Sequence, residues 1–196
     1  MSQIELFATE PELPEGFAYK PDLISREEEQ TLVRAIERLD FGDVKMHDVV
    51  AKRRVVHFGR SYEYQTAPLT SAPPIPKFLQ ELRKRVAKFA ERDAEEFAEV
   101  LVTGYPPGAP IGWHRDAPGF DIIVGVSLLS DCIMQFRRWP IEKPIGKRAK
   151  VLKQILQPRS AYILRGQSRV AWQHRIPPVK QRRLSITFRT LRTTRV

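Results

Sequence analysis

The chain has 196 residues, 42% of them hydrophobic and 29% charged; it is long enough to bury a core, suits one globular domain, and lacks both the composition of a disordered chain and any apolar run near the length of a membrane span. Its one cysteine, Cys132, excludes an intramolecular disulfide and fits a reducing compartment. The first ten residues carry two acids and no base, unlike a secretory signal, so a cytoplasmic site, or one with access to nucleoid or nucleus, is expected. Lys and Arg outnumber Asp and Glu by 33 to 23, a formal net charge of +10 that suits a polyanion such as nucleic acid, or is a solubility bias.

Residues 1–24 are proline-spaced and irregular. Ser25-Arg26-Glu27-Glu28 reads as a capping box, and Leu32, Val33, Ile36 and Leu39 continue a helix that Phe41-Gly42-Asp43 ends. Residues 44–66 read as short strands and loops, and Pro68 to Pro76 as a connection. A second amphipathic helix is predicted over 75–92, with Phe78, Leu79, Leu82, Val86 and Phe89 on one face. From residue 97 the pattern turns to strands: Phe97–Tyr105, Asp121–Leu129, Cys132–Arg137, Lys150–Leu156, Ser160–Leu164 and Arg183–Arg189. Turn residues separate them, among them Pro106-Pro107-Gly108 and Asp116-Ala117-Pro118-Gly119. Two helices followed by many short strands predict an α+β, mainly β chain with a sandwich or barrel core.

Of the four histidines, His114 belongs to an H-x-D pair with Asp116. On an extended segment, residues i and i+2 point to the same side, so both could face one ion. His174 lies far downstream. Two imidazoles and a carboxylate form the facial triad of non-haem iron centres, with positions left open, whereas a structural zinc site would prefer four closed ligands and usually cysteine. His47 and His57 read as surface or lid residues, Trp113 and Trp172 as core packing, and Cys132 and Met134 as a buried inert thiol and thioether.

In Arg183-Leu184-Ser185-Ile186-Thr187-Phe188-Arg189 the polarity alternates strictly, with both arginines on the face of Ser185 and Thr187. That face is either solvated or lines a cavity for a dicarboxylate, because the guanidinium fork fits carboxylate oxygens. Six strand steps span roughly 20 Å, and two long side chains reaching inward leave a gap suited to a five-carbon diacid.

Tyr105-Pro106-Pro107-Gly108-Ala109, Ile111-Gly112-Trp113-His114-Arg115-Asp116, Trp172-Gln173-His174 and Arg183-x5-Arg189, in that order and spacing, resemble the AlkB-type 2-oxoglutarate- and Fe(II)-dependent dioxygenases. The stretch Pro14-Glu15-Gly16-Phe17-Ala18-Tyr19 looks like that family's entry segment. The resemblance implies a double-stranded β-helix, or jelly roll, flanked by helices: a single domain over 1–196, with helices and a substrate-recognition lid in 1–95 and the catalytic core in 96–196. It implies Fe(II) held by His114, Asp116 and His174, with O2 and 2-oxoglutarate as co-substrates. Arg183 matches the residue that pairs with the distal carboxylate, Tyr105 and Ser185 its hydrogen-bonding neighbours, and Arg189 the second arginine, near the carboxylate at the iron. Thr103, like Ser185, stands where asparagine is common. No residue beyond the metal ligands is implied as catalytic.

The resemblance also implies oxidative demethylation of alkylated DNA or RNA bases, with release of succinate, CO2 and formaldehyde, by a monomer acting on single strands or flipped bases. In the Lys52–Tyr64 stretch, Arg53 and Arg54 could hold phosphates and Tyr62 and Tyr64 could stack on a base, although an edge hairpin fits as well. A second basic cluster, Arg137, Arg138, Lys143, Lys147, Arg148, Lys150 and Lys153, reads either as a phosphate track or as a solvated edge. Pro118 stands where repair members often carry a second acid, and Val55 near the place of a lid tryptophan. Two other readings stay open: a same-fold oxygenase acting on a protein or small molecule, and a non-enzymatic nucleic-acid binding module.

Overall fold

In the computed structural model, the residues described are 13–46, 49–62, 69–140 and 150–192. The first helix opens as its sequence predicts. The Glu28 backbone N–H donates to the Ser25 hydroxyl at 3.2 Å, and the Ser25 N–H donates to the Glu28 carboxylate at 2.7 Å. This helix, α1 (Arg26–Ile36), stops short of Leu39, because the final turn tightens and the Leu39 N–H bonds the Ile36 carbonyl at 3.0 Å. The second helix, α2 (Lys77–Ala90), ends where Glu91 takes a left-handed conformation.

The strands are β1 (Phe17–Lys20), β2 (Gly42–Met46), β3 (Val49–Tyr62), β4 (Leu69–Ser71), β5 (Phe97–Tyr105), β6 (Ile111–His114), β7 (Phe120–Leu128), β8 (Cys132–Arg138), β9 (Leu152–Leu156), β10 (Ala161–Leu164), β11 (Trp172–Ile176) and β12 (Arg183–Leu191). A short helix, α3 (Gln167–Val170), precedes β11. The expected short strands of residues 44–66 are instead β2 and one long strand, β3, kept extended by β2 on one side and β5 on the other. The strands β6 and β11 escape the sequence reading because they are short and carry Gly, Trp, Gln and His in place of an apolar alternation.

All pairings are antiparallel, in two sheets. One runs β1-β10-β7-β12-β5-β3-β2, with β4 added to β3; the other runs β6-β11-β8-β9. From β5 to β12 the chain passes between the sheets so that β5, β7, β10 and β12 lie in the first and β6, β8, β9 and β11 in the second. This is the jelly roll that the sequence resemblance implies. The segment before residue 96 supplies β1, β2 and β3 to the same large sheet. One apolar cluster joins the helices to the large sheet through Leu32, Ile36, Leu79, Val86, Val100, Val124, Ile186 and Phe188. A second fills the space between the sheets, with Tyr105, Ile123, Met134, Phe136, Leu156 and Leu164. Among the described residues, no helix is long and apolar enough to cross a membrane.

Phe188 is fully buried and meets Phe97 edge-on at 6.4 Å. Phe188→Ala should cost about 3–5 kcal/mol, read as a lower urea midpoint with an unchanged slope.

Candidate metal centre

The strands β6 and β11 lie side by side with His114 directly opposite His174. Their rings are 4.3 Å apart between centroids. Asp116 does not share the extended segment, since β6 ends at His114 and the chain turns, the Phe120 N–H bonding the Ala117 carbonyl at 3.2 Å. The turn still brings the carboxylate to the imidazoles: Asp116 Oδ2 is 3.5 Å from His174 Nε2, and one ligand atom from each of the three residues lies within 4.8 Å of the others. Arg169 donates to the Ala117 carbonyl and so pins the turn beside Asp116.

The protonation states suit a cation. His114 Nδ1 lies 2.9 Å from the Gly112 carbonyl, which can only accept, so Nδ1 is the donor there and Nε2 is the ring nitrogen left for a cation. Burial, and then the proximity of His114, push the His174 imidazole down to about 3, so it is neutral. Burial alone would raise Asp116, but His174, Arg189 and His114 outweigh it and hold the carboxyl below its usual range. Asp116 Oδ2 has no hydrogen-bond partner. An ionised carboxylate with an orphaned oxygen, beside a neutral His174 imidazole and the His114 ring, fits Fe(II) and leaves positions open.

Along β12 the alternation is as predicted: Leu184, Ile186 and Phe188 join the helix-side core. The opposite face is also buried, so it is not a solvated surface. Arg183 is 1% exposed. Its Nε donates to the Ser127 hydroxyl at 3.1 Å and its guanidinium lies 4.9 Å above the Tyr105 ring. Its Nη1 has no hydrogen-bond partner, and no carboxylate pairs with it among the described residues. Ser185 stands between Thr103 and Ser127 in register, which makes a row of three buried hydroxyls across the sheet. Arg189 donates from Nη1 to both oxygens of Glu99, at 3.2 and 2.9 Å, and its Nη2 lies 3.4 Å from Asp116 Oδ1.

Glu99 escapes the sequence reading although it sits directly opposite Arg189 and also meets His57 Nδ1 at 3.1 Å. The available signal is an acid inside an otherwise apolar strand. Tyr162 escapes it as well. Its ring tip lies over Gly125, where a Cβ would come within 2.4 Å of the ring. Burial, then Asp116 and Tyr105, push the Tyr162 hydroxyl well above its usual range. A lone glycine inside an apolar strand marks such a close approach.

The proposed lid residues separate. Arg54 pairs with Asp43 at 3.3 Å and donates to the Phe41 carbonyl. It lines a cavity of about 320 Å³ with Phe41, Lys52, Gly104, Arg182 and Leu184, on the side of the large sheet that Gly104 and Leu184 face, away from Thr103 and Ser185. Strand alternation places Arg53 on the opposite face, with Val55, which is paired with Thr103. The side chain of Tyr62, and all of Tyr64, His47, Lys143, Lys147 and Arg148, lie outside the described residues. Cys132 is buried, and burial raises its thiol, as expected of an inert cysteine. Trp172 packs against the inter-sheet core as expected, but Trp113 does not: it faces outward between Arg137 and Arg175.

Residues 16–189 match the family model of the 2OG-Fe(II) oxygenase superfamily. The chain is 29% identical to an Arabidopsis thaliana protein named alkylated DNA repair protein ALKBH8 homolog, over 96% of this chain and 62% of that one. It is 28% identical to the mouse protein named tRNA (carboxymethyluridine(34)-5-O)-methyltransferase ALKBH8, over 86% of this chain and only 25% of that one. The structure superimposes on that of OsALKBH1 with a TM-score of 0.64 at 16% identity, covering 92% of this chain and 99% of that one. It matches a Pseudomonas putida prolyl-4-hydroxylase with a TM-score of 0.60 at 11% identity, covering 90% and 93%.

Two outcomes follow from the geometry. Unfolding frees His174 to take a proton near its ordinary 6.5, while the folded metal-free protein keeps it neutral down to about 3. The unfolded state therefore binds more protons, and stability falls as pH drops from 6.5 toward 3, by up to about 1.4 kcal/mol per unit. Urea titrations from pH 4 to 7 should show this slope, reduced in His174→Gln; equal slopes would refute the buried neutral imidazole. Gly125→Ala should cost about 1–3 kcal/mol through the clash with Tyr162, and the cost should largely vanish in a Tyr162→Leu background.

Proposed function

The chain belongs to the 2OG-Fe(II) oxygenase superfamily, and we propose that it is a demethylase of alkylated nucleic-acid bases whose Fe(II) is held by His114, Asp116 and His174. It is an AlkB-like, 2-oxoglutarate-dependent dioxygenase, with Fe(II), 2-oxoglutarate and O2 as its cofactor and co-substrates. With these bound, the centre oxidatively decarboxylates 2-oxoglutarate to succinate and CO2 and hydroxylates a C–H bond.

The observation that carries the reading is Arg183. A guanidinium buried to 1% exposure without an anion is costly unless a ligand supplies one. The distal carboxylate of 2-oxoglutarate fits that place, with Arg183 Nη1 as donor and Tyr105, Ser185 and Thr103 around it. Arg189 keeps Asp116 ionised and oriented while Glu99 balances its charge. The two histidines and the aspartate come from the small sheet and its turn, and the co-substrate wall from the large sheet, so the reacting carbon would enter between them.

The net charge of +10 favours a polyanionic substrate, and a relative 29% identical is named an alkylated DNA repair protein. Hydroxylation of an N-methyl carbon gives a hemiaminal, whose C–N bond breaks to release formaldehyde and the unmodified amine. On the substrate side Arg53, which shares the strand face of Val55, would meet the phosphates of the entering strand, and Tyr62 and Tyr64 would stack on its bases; Arg54 is held by Asp43.

The test is aerobic turnover with Fe(II), ascorbate, 2-oxoglutarate and a methylated single-stranded oligonucleotide, following succinate and oligonucleotide mass. The wild type should give succinate together with loss of a methyl mass, His174→Ala neither, and Arg183→Met no saturable response to 2-oxoglutarate. Succinate with an unchanged oligonucleotide would overturn the nucleic-acid substrate in favour of a protein or small molecule; no succinate from iron-loaded protein would overturn the site assignment.

A further inference from the structure

The strands β6, β8, β9 and β11 contain no aspartate or glutamate, yet carry Arg137, Arg138, Lys153 and Arg175. Their inner face holds His114 and His174. On the outer face the Trp113 indole lies between two guanidiniums, Arg137 at 4.4 Å and Arg175 at 4.7 Å. Glutamines fix both: Arg137 Nε donates to Gln173 Oε1, and Arg175 Nε to Gln135 Oε1, each at 2.7 Å. Each arginine is thus laid on the ring with its Nε occupied and its terminal N–H groups left for another acceptor. Among the described residues, no carboxylate pairs with Arg137, Arg138, Lys153, Arg175 or Arg115. The Arg137 guanidinium is pushed down by burial and by the charge of Arg175, as expected of two cations held together without an anion.

This face runs toward the metal centre. Past Arg137, Arg115 stacks on Trp139 at 5.4 Å at the sheet end, where Arg138, on the inner side, stacks on its cross-strand neighbour Trp172 at 5.0 Å. Arg115 lies in sequence between His114 and Asp116, and it donates to the Val170 carbonyl at 3.1 Å. From Gln135 to Trp139 the track is about 13 Å long, room for more than one phosphate.

We propose that the outer face of the four-stranded sheet, centred on Arg137, Trp113 and Arg175, binds the phosphodiester backbone of a single-stranded nucleic acid and leads that strand around the sheet end to the metal centre. The inference rests on the nucleic-acid reading above and adds to it a surface outside the reaction site. Cations with no carboxylate among them, planar guanidiniums with free terminal donors and interleaved indoles suit phosphates and stacked bases.

The test is fluorescence anisotropy with a labelled, unmethylated single-stranded oligonucleotide over a salt series, for the wild type, Arg137→Gln/Arg175→Gln and the exposed Lys153→Gln. A poly-glutamate peptide serves as the rival ligand. The double variant should bind at least tenfold more weakly at low salt. Its slope of log affinity against log salt should be shallower by about 1.4, at about 0.7 for each phosphate no longer neutralised, and Lys153→Gln should show about half of that slope change. A wild-type thermal shift with Mn(II) and 2-oxoglutarate in each variant shows that it is folded. Wild-type affinity and slope in both variants, tighter binding of poly-glutamate than of the oligonucleotide, or no oligonucleotide binding by the wild type would each overturn the proposal. If the wild type removes the methyl group and the variants bind like it, only this surface falls. If the variants lose binding but the wild type removes no methyl group, only the demethylase reading falls.

Discussion

A guanidinium sealed between two sheets, with no carboxylate paired to it among the described residues, is the constraint on which the interior depends. Removing Arg183 from water costs several kcal/mol, and its hydrogen bond to Ser127 returns only part of that. The rest of the inner wall reduces the cost without cancelling the charge: Tyr105 offers its ring face, and Thr103, Ser185 and Ser127 line the floor with hydroxyls. An apolar wall would make the buried cation intolerable, and a carboxylate there would occupy the donor that a ligand needs. Arg189, on the same strand face, shows the contrast. Glu99 pairs with it at 2.9 Å, and its Nη2 lies 3.4 Å from Asp116.

This division of labour depends on the two-sheet arrangement. Every strand of the large sheet between β5 and β12 turns one face to the helices and the other to the interior, so the helices seal one side while the polar site occupies the other. The metal cluster comes from the opposite sheet. Its carboxylate arrives on a turn whose geometry Arg169 and Arg189 fix from two sides. The His114–Asp116–His174 cluster and the Arg183 guanidinium thus face each other from the two sheets across a buried gap, where charge interactions are strong.

What is legible in the sequence is what is local or strictly periodic. The capping box at Ser25, the alternation of β12 and the spacing of His114, Asp116 and His174 all show in the chain itself. What stays hidden depends on partners far apart in sequence. Glu99 has meaning only opposite Arg189, and Gly125 only beneath Tyr162, pairs that sheet register creates. The unbroken length of β3 comes from neighbours on both sides, not from its own mixed composition. Trp113 reads as core because tryptophan beside a metal histidine suggests packing, yet it is the residue after Gly112 and before His114, and alternation sends it outward.

That alternation joins the two halves of the functional reading. On β11, His174 points inward and Gln173 and Arg175 outward; on β6, His114 points inward and Trp113 outward. A one-residue slip in either strand would expose the histidines and bury the cations. Phe136 and Met134 guard against it from β8, because they must stay in the inter-sheet core while Arg137 and Gln135 stay out. The register that sets His114 opposite His174 therefore also builds the Arg–Trp–Arg stack, with the histidines on one face of the sheet and Arg137 and Arg175 on the other. Backbone pairing thus sets Arg137, Lys153 and Arg175 behind the histidines, with no carboxylate on those strands to offset their charge.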